Sequence, residues 1–497
     1  MCFSPPILAW TAAFAVLMHV LGPRTDGSLA VTGTALTAAL CCYVAELLQR
    51  RMLFDCSLGA LCVAWYIASV SLRAVVLGLA PEQAGTPVPV SNTSISAALT
   101  YSFLGLLSLL LGYHLGRAES AATFFGRRMW LYREIRPIWL HTAALAGGVG
   151  VFVRSLLYWS ETWQKVEYLG ALPGLLVNLG MVAIGALLVR RDRRPAAFVA
   201  PVLYAVVYTF GAALMGHRGM LPFLLLMPAI YLLLYPRARS RWRRVLHVSV
   251  VLFIASGFIQ FVSPLLTRFK GAASFSYYMS ARERWTSVMD TYESLAASSG
   301  SSTENSFLPL HRRVGVTLEH FAVLIERTPE VWDYQYGRTI LLLATKFIPR
   351  ALWRSKPDTS VDAMFYQQYL GYPRGLRGGG ASMTTSGDFY LNFHVPGVLL
   401  GMFTVGLLFR YFQRFLIGRG RDNRVVIAPM LFCLQAVGLG MLYASVSDLF
   451  GDTILDTLMV IFLTRFGGRR AGCPAGRRIR PASLMPLQRP RAEMRLP

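Results

Sequence analysis

Arginine side chains stand between apolar segments of this sequence, at positions where a guanidinium group could bind a diphosphate. The sharpest case is Arg218, which lies between two apolar runs and is flanked by Gly216 and Gly219. Paired, charge-assisted hydrogen bonds from a guanidinium group suit the oxygens of a diphosphate. An arginine in such a position can also reach the membrane interface while its stem stays among the lipid chains. Position alone leaves both interpretations open for Arg218.

A second group of cations surrounds the predicted end of a helix, in the stretch between Pro349 and Pro357. Arg350, Arg354 and Lys356 belong to this stretch. The group suits a fixed anion site, but cations at a helix C-terminus also interact favourably with the helix dipole. Further cations in the same region are Arg312, Arg313, Arg374 and Arg377. We expect part of this set to contact an anionic substrate.

A carboxylate, Asp388, completes the set of candidate catalytic residues. It stands in the segment Ser386–Phe393, directly before an apolar run. At that place it would suit a general base that deprotonates a sugar hydroxyl as the hydroxyl attacks an anomeric carbon. The alternative is an N-cap for the following helix, a role for which Asp is favoured. Tyr390 and Asn392, in the same segment, are predicted to contact substrate.

Membrane-spanning helices must position these residues. Of the 497 residues, 54% are hydrophobic and 15% charged, and the mean hydropathy is +0.46, whereas soluble proteins carry about a quarter charged residues. A helix crosses the bilayer core with about 20 apolar residues. Two arginines inside apolar runs, Arg73 and Arg154, are expected to be structural. The apolar runs predict twelve spans, at residues 7–22, 28–48, 56–79, 96–116, 138–158, 170–189, 196–215, 219–235, 245–265, 394–413, 425–445 and 447–465.

The net charge of +24 is explained by topology rather than by nucleic acid as a partner. Arginine clusters follow the even-numbered spans, as expected of cytoplasmic loops, and no nucleic-acid-binding motif is present. We therefore predict a multi-pass protein of the bacterial inner membrane with both termini in the cytoplasm. Residues 467–497 are predicted to form a basic, disordered cytoplasmic tail that contacts lipid headgroups.

The predicted domains are residues 1–265 with nine spans, an outward loop at 266–393, residues 394–466 with three spans, and the tail. The loop carries fourteen Lys or Arg and eleven Asp or Glu residues. Because ordinary connections have about 4–6 residues, we expect so long a loop to fold and to carry function. Helical spacing predicts helices at Val314–Arg327 and Thr339–Trp353, and Gly371–Gly380 is predicted to be flexible.

The sequence lacks the common signatures of soluble enzymes. It has no P-loop, no GxSxG, no HExxH and no paired CxxC, so an ATP-driven pump is not expected. No cofactor and no metal site are assigned from the sequence. None of the seven cysteines falls in the outward loop, and their spacing resembles no zinc site.

Three segments in order resemble the Wzy-type polymerases of O-antigen or exopolysaccharide repeat units. Gly216–Gly219 is similar to the family's GxRG at the outer end of a span. The stretch Gly337–Lys356 resembles the family from its initial Gly-Arg-Thr onward, and its end, Ile348–Pro357, is similar to iPRxlWpxKP. Gly387–Gly397 is similar to GExYxNFGxxG. The match covers roughly residues 210–415. The chain departs from these patterns at three positions, with Arg354 for a proline, Asp388 for the acid and His394 for a glycine.

The resemblance implies an integral-membrane glycosyltransferase with an all-α, GT-C-like fold of about twelve transmembrane helices and one large extracytoplasmic helical loop. Its donor and acceptor would be oligosaccharides linked to undecaprenyl diphosphate, with no nucleotide sugar and no essential metal. Arg218, Arg350 and Arg354 would bind the leaving diphosphate, where negative charge develops. A polysaccharide co-polymerase is a partner expected by resemblance.

Two other functions remain open at this point. An O-antigen ligase uses the same donor but transfers the glycan to a different acceptor, such as a lipid A core. The run from Pro349 to Pro357 favours the polymerase. A lipid-linked oligosaccharide flippase or other transporter is the non-enzymatic alternative, although transporters often show related halves, which are not visible in this sequence.

Overall fold

A computed structural model describes the chain at residues 26–49, 56–79, 90–116, 134–159, 171–189, 199–208 except 202, 286, 316–348, 352–353, 355–356, 361, 364–365, 369, 383–417, 430–435, 442 and 444–469. Most of these residues are helical. The elements are α1 (Asp26–Gln49), α2 (Ser57–Tyr66), a π-helical turn (Ile67–Ser71), α3 (Leu72–Leu79), α4 (Asn92–Leu115), β1 (Glu134–Ile135), α5 (Pro137–Trp159), α6 (Ala171–Val189), α7 (Val316–Arg327), α8 (Arg338–Lys346), α9 (Thr385–Ile417), α10 (Val446–Gly467) and β2 (Gly468–Arg469).

Four of the described helical segments are long and apolar enough to cross a membrane: Gly27–Leu47, Ser57–Leu79, Asn92–Leu115 and Thr385–Leu416. They correspond to the predicted spans at 28–48, 56–79, 96–116 and 394–413. Helices α5, α6 and α10 coincide with the predicted spans at 138–158, 170–189 and 447–465. The predicted spans at 7–22, 219–235 and 245–265 lie outside the described residues. The protein therefore has the helical character of a membrane protein, and the count of twelve spans stays a prediction.

Helices α4 and α9 pack closely because glycines remove side chains from their contact. A Cβ atom on Gly112 would collide with the carbonyl oxygen of Phe403, and one on Gly406 with that of Leu109. Small residues allow this close approach between helices in a membrane. Residues that follow later in α4 contact residues that follow later in α9, so the two helices run parallel. The predicted topology likewise runs both spans from the outside to the inside.

Pairing of the two short strands connects the start of α5 to the end of α10. Glu134 pairs with Arg469 and Ile135 with Gly468 in an antiparallel ladder. β1 leads directly into α5, and β2 follows α10 directly. In the predicted topology both strands lie on the cytoplasmic side.

The helices of the predicted outward loop differ in how well their bounds match the prediction. Helix α7 agrees with the predicted helix at 314–327. Helix α8 ends at Lys346, so the prediction that this helix continues to Trp353 is wrong. Pro349 is the physical reason, because a proline ring disfavours helical geometry at the preceding residue and lacks the N–H that a helix needs. Gly371–Gly380 lies outside the described residues.

Helix α9 begins before the predicted start of its span. The segment Ser386–Phe393 forms its first turns, and the backbone then breaks at Phe393 and His394, where φ and ψ are −143° and 20°, and 58° and −153°. Pro396 follows, and it has no N–H for the carbonyl of Asn392. The break falls at the predicted boundary between the outward loop and the span, so Asp388 lies in a short helical segment that precedes the break.

Candidate functional site

Two segments that resemble polymerase motifs in sequence, Gly337–Lys356 and Gly387–Gly397, contact each other at the N-terminal end of α9. The Gly337 N–H donates to Oδ1 of Asn392 at 2.8 Å, and the Thr339 hydroxyl donates to Oδ1 of Asp388 at 2.5 Å. Gly337 has a φ of +89°, which favours glycine. Segments about fifty residues apart in the chain therefore form one site.

Asp388 is the centre of this contact, and its side chain is 0% exposed. Its Oδ1 accepts hydrogen bonds from Thr339 and, at 3.0 Å, from the amide of Asn392. Its Oδ2 accepts the backbone N–H of Val446 at 2.8 Å. Val446 is the first residue of α10, so the carboxylate satisfies an N–H that the helix itself leaves free, and it lies at the positive end of the helix dipole.

These contacts favour a capping role for Asp388, but for a different helix from the one predicted. The sequence suggested a cap for the helix that Asp388 precedes, whereas the observed partner is the start of α10. The carboxylate is enclosed in this arrangement and offers no open face to a sugar hydroxyl. Its function as a general base stays a prediction.

Asn392 and Tyr390, which were predicted to contact substrate, are both buried. The Asn392 amide donates to the carbonyl oxygen of Asp388 at 2.7 Å and to the hydroxyl of Thr339 at 2.5 Å. Tyr390 stacks on Tyr101 with a centroid distance of 5.9 Å. In this arrangement both side chains contact other residues of the site from its buried side.

Lys356 contacts the end of α8. Its Nζ donates to the carbonyl oxygens of Ile348 at 2.9 Å and of Lys346 at 3.4 Å. The alternative considered from the sequence, a cation that satisfies the C-terminal end of a helix, describes these contacts.

Lys346 is a charged residue of the site that sequence patterns do not indicate. Its Nζ lies 2.9 Å from Asp448 Oδ1 and 2.9 Å from Asp452 Oδ1, both on α10. Burial alone would lower the pKa of Lys346, but the two carboxylates raise it above its usual range. Asp448 and Asp452 stand four residues apart in an apolar run, a spacing that predicts one helical face, but no local pattern identifies Lys346 as their partner.

The remaining predicted site residues, namely Arg218, Arg350, Arg354, Arg312, Arg313, Arg374 and Arg377, lie outside the described residues. Their role in diphosphate binding therefore stays a prediction. Within the described ranges, no group of three or more His, Cys, Asp or Glu side chains is placed to hold a metal ion.

An apolar cavity of about 920 Å³ begins beside this cluster and follows α9. At one end it is lined by Phe389, which follows Asp388 in the chain, and by Val446, which donates to Asp388. Phe415 lines the other end. From Pro396 to Phe415 the helix rises about 28 Å, close to the thickness of a bilayer's hydrocarbon core. Its walls come from α8, α9 and α10, so the cavity could hold a long apolar chain parallel to the span. We call it the apolar groove.

A buried ion pair holds α7 of the predicted loop against the spans. Arg73, at the start of α3, and Glu319 are both buried, and the Arg73 Nε donates to Glu319 Oε1 at 2.9 Å. Burial raises the pKa of Glu319, and Arg73 only partly offsets that rise. The structural role expected for Arg73 therefore agrees with its contacts.

Comparisons of the chain with family models, curated proteins and solved structures gave no match.

Proposed function

We propose that this protein joins oligosaccharide repeat units, carried on undecaprenyl diphosphate, into O-antigen or exopolysaccharide at the outer face of the inner membrane. The observation that carries the proposal is the contact between the two motif segments, through Thr339, Asp388 and Asn392. That contact lies at the end of the apolar groove, so a polar site and a channel for an apolar chain adjoin each other. A lipid-linked sugar needs both.

The parts of the substrate would be divided between these regions. The polyprenyl chain lies in the apolar groove, where it replaces lipid chains and is held by van der Waals packing against the groove's side chains. Arg218, Arg350 and Arg354 bind the diphosphate. A hydroxyl group of one repeat unit attacks the anomeric carbon of the other, and the bond from that carbon to the phosphate oxygen breaks. The diphosphate leaves with the electron pair, and the hydroxyl proton passes to water or to the departing diphosphate. The guanidinium groups stabilise the negative charge that develops on it.

Asp388 acts in this proposal mainly as a positioning residue. Its carboxylate fixes Thr339, Asn392 and the start of α10 in one arrangement. A change at Asp388 would therefore move both motif segments at once. Transfer of the hydroxyl proton directly to Asp388 requires this set of hydrogen bonds to open.

The test uses the full-length protein in nanodiscs with lipid-linked repeat units and follows glycan length on gels. The wild type is expected to produce a ladder of longer glycans, and Arg218→Ala and Arg350→Ala to produce none while inserting normally. Arg465→Ala, an exposed arginine at the other end of α10, is the matched control and should match the wild type. A normal ladder from both site variants would refute the diphosphate site.

The same materials separate the alternatives. A flippase or other transporter would leave glycan length unchanged in the assay. In cells that lack the protein, loss of a polymerase still permits attachment of a single repeat unit to the acceptor, whereas loss of a ligase permits none. Mapping of residues 266–393 to the cytosol would contradict the proposal, because the site would then face the wrong compartment.

A further inference from the structure

Three neighbouring rings form a partly exposed surface beside the contact between the motif segments. Tyr336 is 78% exposed, His394 is exposed and Tyr334 is half-buried. The Tyr334 ring centroid lies 6.4 Å from that of Tyr336 and 5.7 Å from that of His394. We call these three residues the aromatic shelf.

A buried tyrosine ring supports the aromatic shelf from beneath. Tyr390 lies 5.0 Å from His394 and 6.3 Å from Tyr334, measured between ring centroids. Tyr390 in turn stacks on Tyr101 of α4 at 5.9 Å. Tyr334 and His394 therefore rest on a ring that packs against both α4 and α9, and Tyr336 packs against Tyr334.

The backbone is strained at both exposed members of the aromatic shelf. Tyr336 has a φ of 46° and His394 a φ of 58°, in the left-handed region that costs residues other than glycine roughly 1–3 kcal/mol each. Burial of the Tyr336 side chain does not offset that cost, because the ring is mostly exposed. Strain of this kind is retained where the surroundings impose it, and it clusters at ligand sites.

Polar groups adjoin these rings. Asp333 and Arg338 are exposed, and Gln335 lies between them. The Gln335 N–H donates to the carbonyl oxygen of Leu391 at 2.9 Å, which ties this segment to the helix that carries Asp388. A ligand on the aromatic shelf would thus meet aromatic faces bordered by hydrogen-bonding groups.

We propose that the aromatic shelf binds a pyranose ring of the lipid-linked glycan, a subsite that rests on the proposed function. The face of an aromatic ring is electron-rich, and the axial C–H bonds of a pyranose present partial positive charge to it. Sugar hydroxyl groups at the edge of the same ring meet Asp333, Gln335 or Arg338. The chemistry therefore selects a carbohydrate over a purely apolar ligand.

The test is saturation-transfer NMR with the full-length protein in nanodiscs. The probe is the oligosaccharide released by mild acid from the lipid-linked repeat units of the cell that makes this protein. Tyr336→Phe keeps the ring, and Tyr336→Asn removes it with a residue that tolerates left-handed φ. Val331→Ala, at a residue 59% exposed in the same segment, is the control.

Wild type, Tyr336→Phe and Val331→Ala are expected to transfer saturation to the sugar C–H protons with similar affinity. Tyr336→Asn is expected to bind about tenfold more weakly, with unchanged thermal stability. Equal binding by wild type and Tyr336→Asn, or no transfer with the wild type, would overturn the subsite.

The subsite and the proposed function can fail separately. Ring-dependent binding of the probe without any glycan ladder in the polymerisation assay would keep the subsite and refute the polymerase. A normal ladder together with ring-independent binding would refute the subsite and keep the polymerase.

Discussion

Two buried carboxylates, Asp388 and Glu319, fasten elements of the predicted outer side to the helices in different ways. Asp388 accepts hydrogen bonds from three neutral donors, which are distributed over both of its oxygens. Glu319 receives the Arg73 guanidinium on Oε1, and among the residues that the structure describes Oε2 has no hydrogen-bond partner. The hydrogen bonds from neutral donors to Asp388 hold the donor groups in defined positions. The Glu319 carboxylate instead compensates the buried charge of Arg73. We therefore expect the loss of Glu319 to affect mainly stability and the loss of Asp388 mainly activity.

The largest effect on stability is expected at the ion pair. Glu319→Leu leaves the buried charge of Arg73 without its carboxylate, at a cost of about 3–5 kcal/mol in the free energy of unfolding. The double variant Arg73→Met with Glu319→Leu is expected to recover most of that loss, because no buried charge remains. Thermal unfolding in detergent checks both. A single variant as stable as the wild type would contradict a structural role for the pair.

Asp388→Asn tests the other side of the comparison. The substitution places an NH₂ group among donors, so we expect a loss of about 1–3 kcal/mol in stability and about tenfold slower chain growth. Thr339→Val removes one hydrogen bond of the same set and is expected to slow growth to a similar degree. A loss of about 10²–10⁴-fold in Asp388→Asn alone would instead indicate a general base.

A change in the apolar groove tests substrate binding while both carboxylates, Asp388 and Glu319, stay unchanged. Thr404 lines the groove with its side chain exposed, so Thr404→Trp fills space without disturbing buried packing. We expect about tenfold higher KM for lipid-linked repeat units, with unchanged stability, whereas Thr404→Val should match the wild type. Kinetics with purified protein measure this difference. Equal KM values for Thr404→Trp and the wild type would mean that the substrate chain lies elsewhere.

The smallest effect on stability is expected from a change at Glu326, an exposed carboxylate on the same helix as Glu319. Burial would raise its pKa, but hydrogen bonds from Ser91 and Ser94 outweigh this and lower the pKa below 4.5. A carboxylate with a lowered pKa stabilises the fold above its unfolded pKa and loses that contribution as the pH falls through its folded pKa. Glu326→Gln should therefore cost a few tenths of a kcal/mol at pH 7. The difference in Tm from the wild type should disappear below the folded pKa.

The apolar runs predicted the helices well, because length and hydrophobicity are local properties. Helices α1, α4 and α6 each lie where a span was predicted. The end of α8 was missed although Pro349 is visible in the sequence, because apolar spacing continues beyond the proline. Local patterns thus located the elements and were less reliable for their ends.

The contacts of the site could not be predicted in the same way. A carboxylate before an apolar run suggests a cap for the next helix, and the sequence does not show that Val446, 58 residues away, is the observed partner of Asp388. Lys346 likewise meets Asp448 across 102 residues. These partners are brought together by tertiary packing, which composition and spacing do not encode.

Helix α10 is fastened at both ends, by Asp388 at Val446 and by the pairing of Arg469 with Glu134 directly beyond its last turn. Its 22 residues measure about 33 Å as a rigid rod. Because both ends of the helix are held by these hydrogen bonds, unwinding of an end does not accommodate a displacement of its first turn. The rod must shift as a unit, so a rearrangement around Asp388 would be transmitted mechanically to the strand that leads into α5.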